Sequence, residues 1–569
     1  MLEGICARLV DQGKCAVDPL QAARVLRVTV EGVWLDMMTM SDPYAGNEGL
    51  KTAFACASAF FPKHFDANGL IGGIQALGNV FRQLSLKGKS MRAPANLAKF
   101  YINGQWVKPS QGAVTMPVID PATEEGFAMV ALGTPADAAR AIAAARAAFG
   151  DWCTTPASER IALLKRVAVL YKERSEEIAK AISFEMGCTM SFAREAQAWS
   201  GIAHIEATIE AGEKYKWEHW RGKTRIMHEG IGVCGLITPW NWPMNQITCK
   251  VAPAIIAGCT MVLKPSEIAP LSGIIFAEIM HEAGTPKGVF NLVNGTGPEV
   301  GQALASHPQV DMVSFTGSSR AGTMVAQTAA PTVKRVAQEM GGKSANIILA
   351  SADLKAAVAG GANACFANSG QSCDAPTRMF VRRADHDAAV AIAAEVANAL
   401  VVGDPRAKGT DLGPVVSQLQ FDKVQRLIQK GIDEGATLAA GGTGRPKNLN
   451  RGYYVRPTVF GNVRHEMTVS REEIFGPVLA ILAYDSEEHA VNMANDTVYG
   501  LAAYVAGKDM KAVRRVARQL RVGQVQINIP EWDLFAPFGG YKQSGNGREY
   551  ADWGINDFLE VKAMIGYRA

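Results

Sequence analysis

The chain has 569 residues, 48% apolar and 20% charged, with a formal charge of +4. So small a charge over this length gives no general attraction to nucleic acid or a membrane surface, and the length exceeds what one core serves, so two or three domains are expected. Ten cysteines occur without a CxxC pair or a zinc-ligand spacing, and most, such as Cys234 and Cys259, sit inside apolar runs, which fits a reducing compartment. Glu3, Arg8 and Asp11 interrupt the amino terminus and no apolar run reaches bilayer length. The expected location is the cytoplasm, with no membrane, nucleic-acid or metal partner.

Residues 18–40 carry Val25, Val28, Leu35 and Met38 at helical spacing, and a second helix is expected from Leu50 to Phe61, ended by Pro62. Gly69, Gly72, Gly73 and Gly78 then break the pattern before a basic linker from Lys87 to Pro94. The stretch from VEGVWLDMM to FFPKHF resembles the last two helices of the effector-binding domain of tetracycline-repressor-type regulators. No helix-turn-helix precedes it, so residues 1–94 are expected to be a helical extension that binds no DNA.

From Phe100 the character changes. YINGQWV and VIDPATEE read as short strands joined by Asn-Gly and Asp-Pro turns. Thr134, Pro135 and Asp137 form a helix start, with an alanine-rich helix running to about Phe149 and another spanning roughly Ala157 to Ile182. Beyond Ile231, short apolar strands alternate with helices: GVCGLITP, NQITCKVAPAIIAG, TMVLKP, LSGIIFAEIMHEAG, VFNLVNG and VDMVSF. That alternation predicts an α/β fold with a parallel sheet covered on both faces, its ligands at the carboxyl ends of the strands.

Three of those strand ends carry polar or glycine-containing loops. The first is Thr238-Pro239-Trp240-Asn241-Trp242-Pro243, where two prolines stiffen the chain around the Asn241 amide. The second is Lys264-Pro265-Ser266-Glu267, a cation and an anion three residues apart at an expected helix start. The third, Thr316-Gly317-Ser318, opens a helix and could seat a pyrophosphate, although it is not a GxGxxG fingerprint. Further on, Glu339 ends a strand beside Gly341 and Gly342. Cys373 follows Gly370, Gln371 and Ser372 after a helical run, which puts the thiol on a turning backbone where a nucleophile is accessible.

The motifs PWNWP, KPSE, FTGS, QEMGGK, FANSGQSC, EEIFGP and PFGGYKQSGNGRE, in that order from Pro239 to Glu549, resemble those of the aldehyde dehydrogenase superfamily, a likeness that runs from about Lys99 to the end. The resemblance implies a Rossmann-like cofactor domain (95–341), a catalytic α/β domain (342–542) and a small β oligomerisation element built from 213–230 and 543–569. It implies NAD-dependent oxidation of an aldehyde to the acid. Cys373 is then the nucleophile, Asn241 the oxyanion donor and Glu339 the base that hydrolyses the thioester. Trp240, Lys264, Ser266, Glu267, Gly317, Ser318, Glu473 and Phe475 become cofactor contacts, with Glu267 favouring NAD over NADP, and Trp242 and Trp532 substrate contacts. A homodimer or homotetramer is implied as well.

Two departures stand out. Asp374 follows the nucleophile, and a carboxylate there would raise the thiol pKa. The loop Pro530 to Phe535 mixes two acids with two aromatics, while Cys249 stands where a second aromatic wall opposite Trp242 is expected. A semi-bulky aliphatic, aryl or semialdehyde substrate is therefore expected ahead of a trimethylammonium aldehyde. A non-catalytic ligand-binding protein retaining the fold is the remaining alternative.

Overall fold

The computed structural model describes residues 94–110 and 114–568, together with the paired two-residue strands Phe65–Asp66 and Gly69–Leu70. The chain divides into two units, Met1–Ser90 and Met91–Ala569. The helices expected over 18–40 and 50–61, and the regulator-like stretch with them, lie outside the described residues.

In the second unit the Asn103-Gly104 turn joins strands Phe100–Ile102 and Gln105–Val107, both turn residues having positive φ as a two-residue hairpin requires. Thr115–Asp120 and Glu125–Ala131 form a separate two-stranded sheet. The first long helix runs Pro135–Thr154, further than expected. The buried Asp137 carboxylate holds its start, accepting from the Thr134 N–H at 3.1 Å and the Ser110 N–H at 2.8 Å. The expected helix over 157–182 is two helices, Ala157–Glu173 and Ser175–Met186. Arg174 breaks it, leaving the helical path to pair with Glu177, Glu278 and Glu282.

The parallel sheet is present. Its eight strands run in the order Gly545–Asn546, Arg335–Met340, Met312–Gly317, Val233–Ile237, Thr260–Lys264, Phe290–Leu292, Phe100–Ile102, Gln105–Val107, with the five from Arg335–Met340 to Phe290–Leu292 parallel. Register aligns Ile237 with Lys264 and Phe315, Thr316 with Glu339, and Gly317 with Met340, so the three predicted loops and Glu339 share one carboxyl edge. Helix Pro243–Ala257 lies wholly buried over this sheet, and burying each large apolar side chain contributes about 1.5–3 kcal/mol.

A second, seven-stranded sheet runs Thr437–Ala440, Thr458–Gly461, Val478–Tyr484, Arg378–Arg382, Ala345–Ile348, Ala502–Ala506, Gln524–Ile527, all parallel but the first. Here the expectation of ligands at carboxyl ends needs correction. Cys373 precedes strand Arg378–Arg382, Glu473 precedes Val478–Tyr484, and Gly341 to Ser344 lead into Ala345–Ile348. The second sheet therefore offers its amino edge, and the motif residues gather where it meets the carboxyl edge of the first. The crossing is made by Gly341 and Gly342, because a Cβ at Gly341 would sit 2.3 Å from the Glu473 carboxylate and one at Gly342 2.5 Å from the Cys373 carbonyl.

The third sheet has the order Leu559–Met564, Thr224–Gly230, Glu218–Arg221, all antiparallel, bringing together the two segments expected to form the small β element. Among the described residues no helix is long and apolar enough to cross a membrane.

Candidate active site

Cys373 sits on a loop whose shape is fixed by short-range bonding. Helix Leu354–Phe366 ends, and Asn368, Ser369 and Gly370 all take positive φ. Gly370 cannot be replaced without displacement, since its Cβ would lie 2.1 Å from the Gly476 carbonyl. The Ser369 hydroxyl donates to the Gly413 carbonyl at 2.8 Å, and the Gln371 side-chain carbonyl accepts from the Val416 N–H at 2.9 Å. Cys373 itself is half-buried, against Cys249, Leu501, Phe538 and Tyr550. Burial, and then the charges of Asp374, Glu339 and Glu473, push its thiol well above the ordinary range.

Asn241 is joined to that loop from both ends. Its side-chain amide donates to the Gln371 carbonyl at 3.0 Å, and its backbone carbonyl accepts from Gln197 at 2.9 Å and Asn368 at 3.1 Å. An amide nitrogen carries two hydrogens, so a second donor is left after the Gln371 bond. Next to it, the Trp242 indole donates to the Ser372 hydroxyl at 2.8 Å. The two motifs, far apart in sequence, thus form one hydrogen-bonded body.

Glu339 faces the loop from the first sheet. It is buried, and neither carboxylate oxygen has a hydrogen-bond partner among the described residues. Only glycine fits opposite it at Gly539, where a Cβ would lie 2.7 Å from the Glu339 oxygen. Burial and the charge of Glu549 raise its pKa well above the usual carboxylate range, partly opposed by Lys250 and Arg548. A buried carboxyl left without a hydrogen-bond partner among the described residues, its pKa raised by burial, is chemically suited to take a proton from water.

Lys250 and Glu549 were not singled out in the sequence, and they form a buried ion pair close to Glu339. One signal existed: a lone lysine inside the apolar run NQITCKVAPAIIAG, since lysine is almost never buried unpaired. Nothing near Glu549 pointed to it.

At the loops expected to hold a cofactor, the Lys264 ammonium meets the Glu267 carboxylate at 2.9 Å and the Pro265 carbonyl at 3.0 Å. Burial tends to raise Glu267, but Lys264 and backbone donors carry it below the usual range. The expected helix start lies further on, at Leu271, because the Glu185 carboxylate occupies that end, accepting from the Leu271 N–H at 2.6 Å and the Ser272 N–H at 3.1 Å. The Ser266 hydroxyl accepts from the Ile268 N–H at 3.3 Å. Gly317 closes its strand where any side chain would strike the Phe315 ring, and Ser318 caps helix Ser319–Ala329 by accepting from the Ala321 N–H. The hydroxyls of Thr238 and Thr316, buried at this same edge, lack partners among the described residues. Buried polar atoms left open along the carboxyl edge of a parallel sheet fit a polar, dinucleotide-sized ligand.

Glu473 accepts from the Gly342 N–H at 2.9 Å. Phe475 takes positive φ, held by Gln420, whose amide donates to the Ile474 and Phe475 carbonyls, and its ring meets Trp240 edge-on at 5.5 Å. Trp242 and the exposed Trp532 meet edge-on at 6.1 Å, with Trp199 and His204 also against Trp532. Cys249 does not leave a gap: Tyr550 and Phe538 pack over it, Tyr550 in turn stacked on His204 at 4.0 Å.

The Aldehyde dehydrogenase family profile matches residues 106–564. The chain belongs to the aldehyde dehydrogenase family and is an enzyme of that activity. It is 52% identical over 470 residues to 3-succinoylsemialdehyde-pyridine dehydrogenase of Pseudomonas sp., covering 82% of this chain and 98% of that protein. A crystal structure of a mutant aldehyde dehydrogenase C from Pseudomonas syringae, complexed with NAD+ and octanal, superposes with a TM-score of 0.83 at 53% identity, covering 84% of this chain and 99% of that one. A betaine aldehyde dehydrogenase from Staphylococcus aureus in complex with NAD+ has a TM-score of 0.80 at 35% identity, covering 84% and 96%.

Proposed function

We propose that the enzyme oxidises a semi-bulky aliphatic, aryl or semialdehyde substrate to its carboxylic acid with NAD+. The observation that carries the covalent, hydrolytic route is Glu339: a buried carboxyl with no hydrogen-bond partner among the described residues, across from a thiol loop clamped to Asn241. The Cys373 thiol gives up its proton to water, and the thiolate forms a bond to the carbonyl carbon as the carbonyl π electrons move to oxygen. The remaining Asn241 N–H, with the backbone N–H of Cys373, stabilises that oxyanion, a donor of this kind typically supplying about 10²–10³ in rate. NAD+ in the cofactor site would supply the hydride acceptor for conversion of the thiohemiacetal to a thioester. Glu339 takes a proton from water, the resulting hydroxide attacks the thioester carbon, and the Cys373 thiolate leaves.

Trp240, Lys264, Ser266, Glu267, Gly317, Ser318, Glu473 and Phe475 would hold the cofactor, on residues we assign to a cofactor domain over 95–341. Residues 342–542 form the catalytic domain in this reading. The sheet of Glu218–Arg221, Thr224–Gly230 and Leu559–Met564, with Val561 and Ile565 exposed, would carry assembly into a dimer or tetramer. Relatives named for a pyridyl semialdehyde and bound to octanal support a substrate of that length. Support for a trimethylammonium aldehyde is weaker, since Cys249 is covered by Tyr550 and adds no aromatic wall.

The test is NADH formation by the purified chain with octanal and an aryl aldehyde. Loss of that signal in Cys373→Ala is expected; retained NADH formation would reject the covalent route.

A further inference from the structure

The thiol loop is open at one short stretch. Ser372, Cys373 and Asp374 are partly accessible, while Gln371 before them and Ala375 to Val381 after them are buried. Asp374 therefore shares the partly accessible stretch of the loop with the thiol, and its charge acts on Cys373. The Tyr504 hydroxyl donates to the Asp374 backbone carbonyl at 3.2 Å and lies 3.5 Å from its carboxylate, too far to count as a strong bond. No lysine or arginine neutralises Asp374 among the described residues.

The other groups around Cys373 do not compensate. Glu339 faces it from strand Arg335–Met340 and Glu473 from the loop before Val478–Tyr484. Tyr504 and Tyr550, from strand Ala502–Ala506 and the carboxyl-terminal segment, bring no positive charge. Helix Pro243–Ala257 brings Lys250, but that ammonium is bound to Glu549. Three carboxyl groups thus bear on the reacting sulfur; Lys423 and Lys343 act on Glu473 and Arg548 on Glu339, while among the described residues no cation acts on Asp374.

We propose that Asp374 is a specificity-determining residue that sets a negative potential at Cys373, so that the enzyme rejects anionic aldehydes relative to neutral ones of the same size. The inference rests on Cys373 being the nucleophile, and narrows the substrate class within that reading. An aldehyde with a distal carboxylate approaches against Asp374, whereas one ending in an alkyl, aryl or ammonium group does not. A unit charge a few ångströms away at a partly solvated site changes reactivity by about tenfold after screening.

The first measurement needs neither cofactor nor aldehyde. Iodoacetamide and iodoacetate both alkylate the same thiolate, sulfur bonding to the methylene carbon as iodide leaves, and differ in charge. Rates are read on the Cys373 peptide by mass spectrometry. The wild-type preference for iodoacetamide should exceed that of Asp374→Asn by about fivefold or more. Because the ratio compares two reagents at one thiolate, it is unaffected by a change in thiol pKa. Should Asp374→Asn fail to fold, Asp374→Ser takes its place, and raising KCl from about 0.02 to 0.5 M should favour iodoacetate relative to iodoacetamide more in the wild type than in that variant as the potential is screened. A second series uses butanal, 4-oxobutanoate and 4-(trimethylammonio)butanal with NAD+. The kcat/KM for 4-oxobutanoate should fall about tenfold or more below that for butanal, and the gap should narrow in Asp374→Asn. Equal ratios in wild type and variant, or no salt effect, overturn the role of Asp374 while leaving the covalent mechanism standing. NADH formation surviving in Cys373→Ala overturns the mechanism itself.

Discussion

Lys250 and Glu549 lie 299 residues apart in sequence, yet they meet as a buried ion pair beside the candidate base, and the second oxygen of Glu549 accepts from the Cys249 thiol at 3.2 Å. The pair acts on Glu339 with opposite signs, Glu549 raising its pKa and Lys250 lowering it. Lys250→Met should therefore move the acid limb of the kcat–pH profile to higher pH, and Glu549→Gln should move it to lower pH, by about one unit each. Shifts of the same sign would show that the pair only supports the fold. Thermal unfolding run alongside separates the stability cost, since leaving one buried charge unpaired costs about 3–5 kcal/mol.

Glu339→Gln should separate the two halves of the reaction. Thioester formation does not need a base on water, so a burst of one NADH per site is expected, followed by turnover slowed by about 10²–10⁴. Rapid-mixing absorbance at the NADH band is the measurement. Unchanged steady-state turnover would remove Glu339 from the mechanism.

Glu267 is held ionised by Lys264 at 2.9 Å, and we propose that it meets the adenosine ribose of the cofactor. A 2′-phosphate there meets a negative charge. Glu267→Gln should raise the ratio of kcat/KM for NADP+ over NAD+ about tenfold. A ratio that does not change would mean that Glu267 is remote from the ribose.

Glu185 gives a prediction about stability and its pH dependence. Its buried carboxyl accepts at the start of helix Leu271–Glu282, and burial pushes its pKa up to about 7 even against those bonds. A folded pKa above the unfolded value near ~4.3 means that the folded state binds the proton more tightly. The contribution is complete below about pH 4 and is lost as pH rises through 7. Between those values the wild type should lose about 3 kcal/mol relative to Glu185→Gln, whose amide does not titrate. Chemical denaturation at pH 5 and pH 8 measures the difference in slope.

All named site residues, from Trp240 to Glu549, lie in the unit Met91–Ala569. A chain starting at Ala95 should keep kcat and KM within about twofold of the full-length values, because no group of the proposed chemistry is removed. A soluble protein without activity would assign residues 1–94 a part in the site.

The parallel sheet, its loop order and the thiol were legible because each is a local pattern: apolar runs of strand length, proline and glycine at turns, a cysteine among small residues. The break at Arg174 was not, since the residues around it read as one amphipathic run and the cause is pairing with Glu278 and Glu282, about a hundred residues away. The Lys250–Glu549 pair and the Tyr504 contact to Asp374 were hidden for the same reason. The direction of the second sheet was hidden too. Strand sequences carry no mark of which edge will face a ligand, and that edge was fixed by the Gly341-Gly342 crossing.

That crossing has a mechanical meaning. The base rides on one sheet and the sulfur on the loop entering the other, so the distance over which water must be delivered is a property of the seam between the two sheets. A rotation of a few degrees about the seam displaces the two groups by roughly 1 Å, which is enough to cost about a hundredfold in rate. Substitutions that soften the seam without touching a reacting atom should therefore slow thioester hydrolysis before they slow its formation.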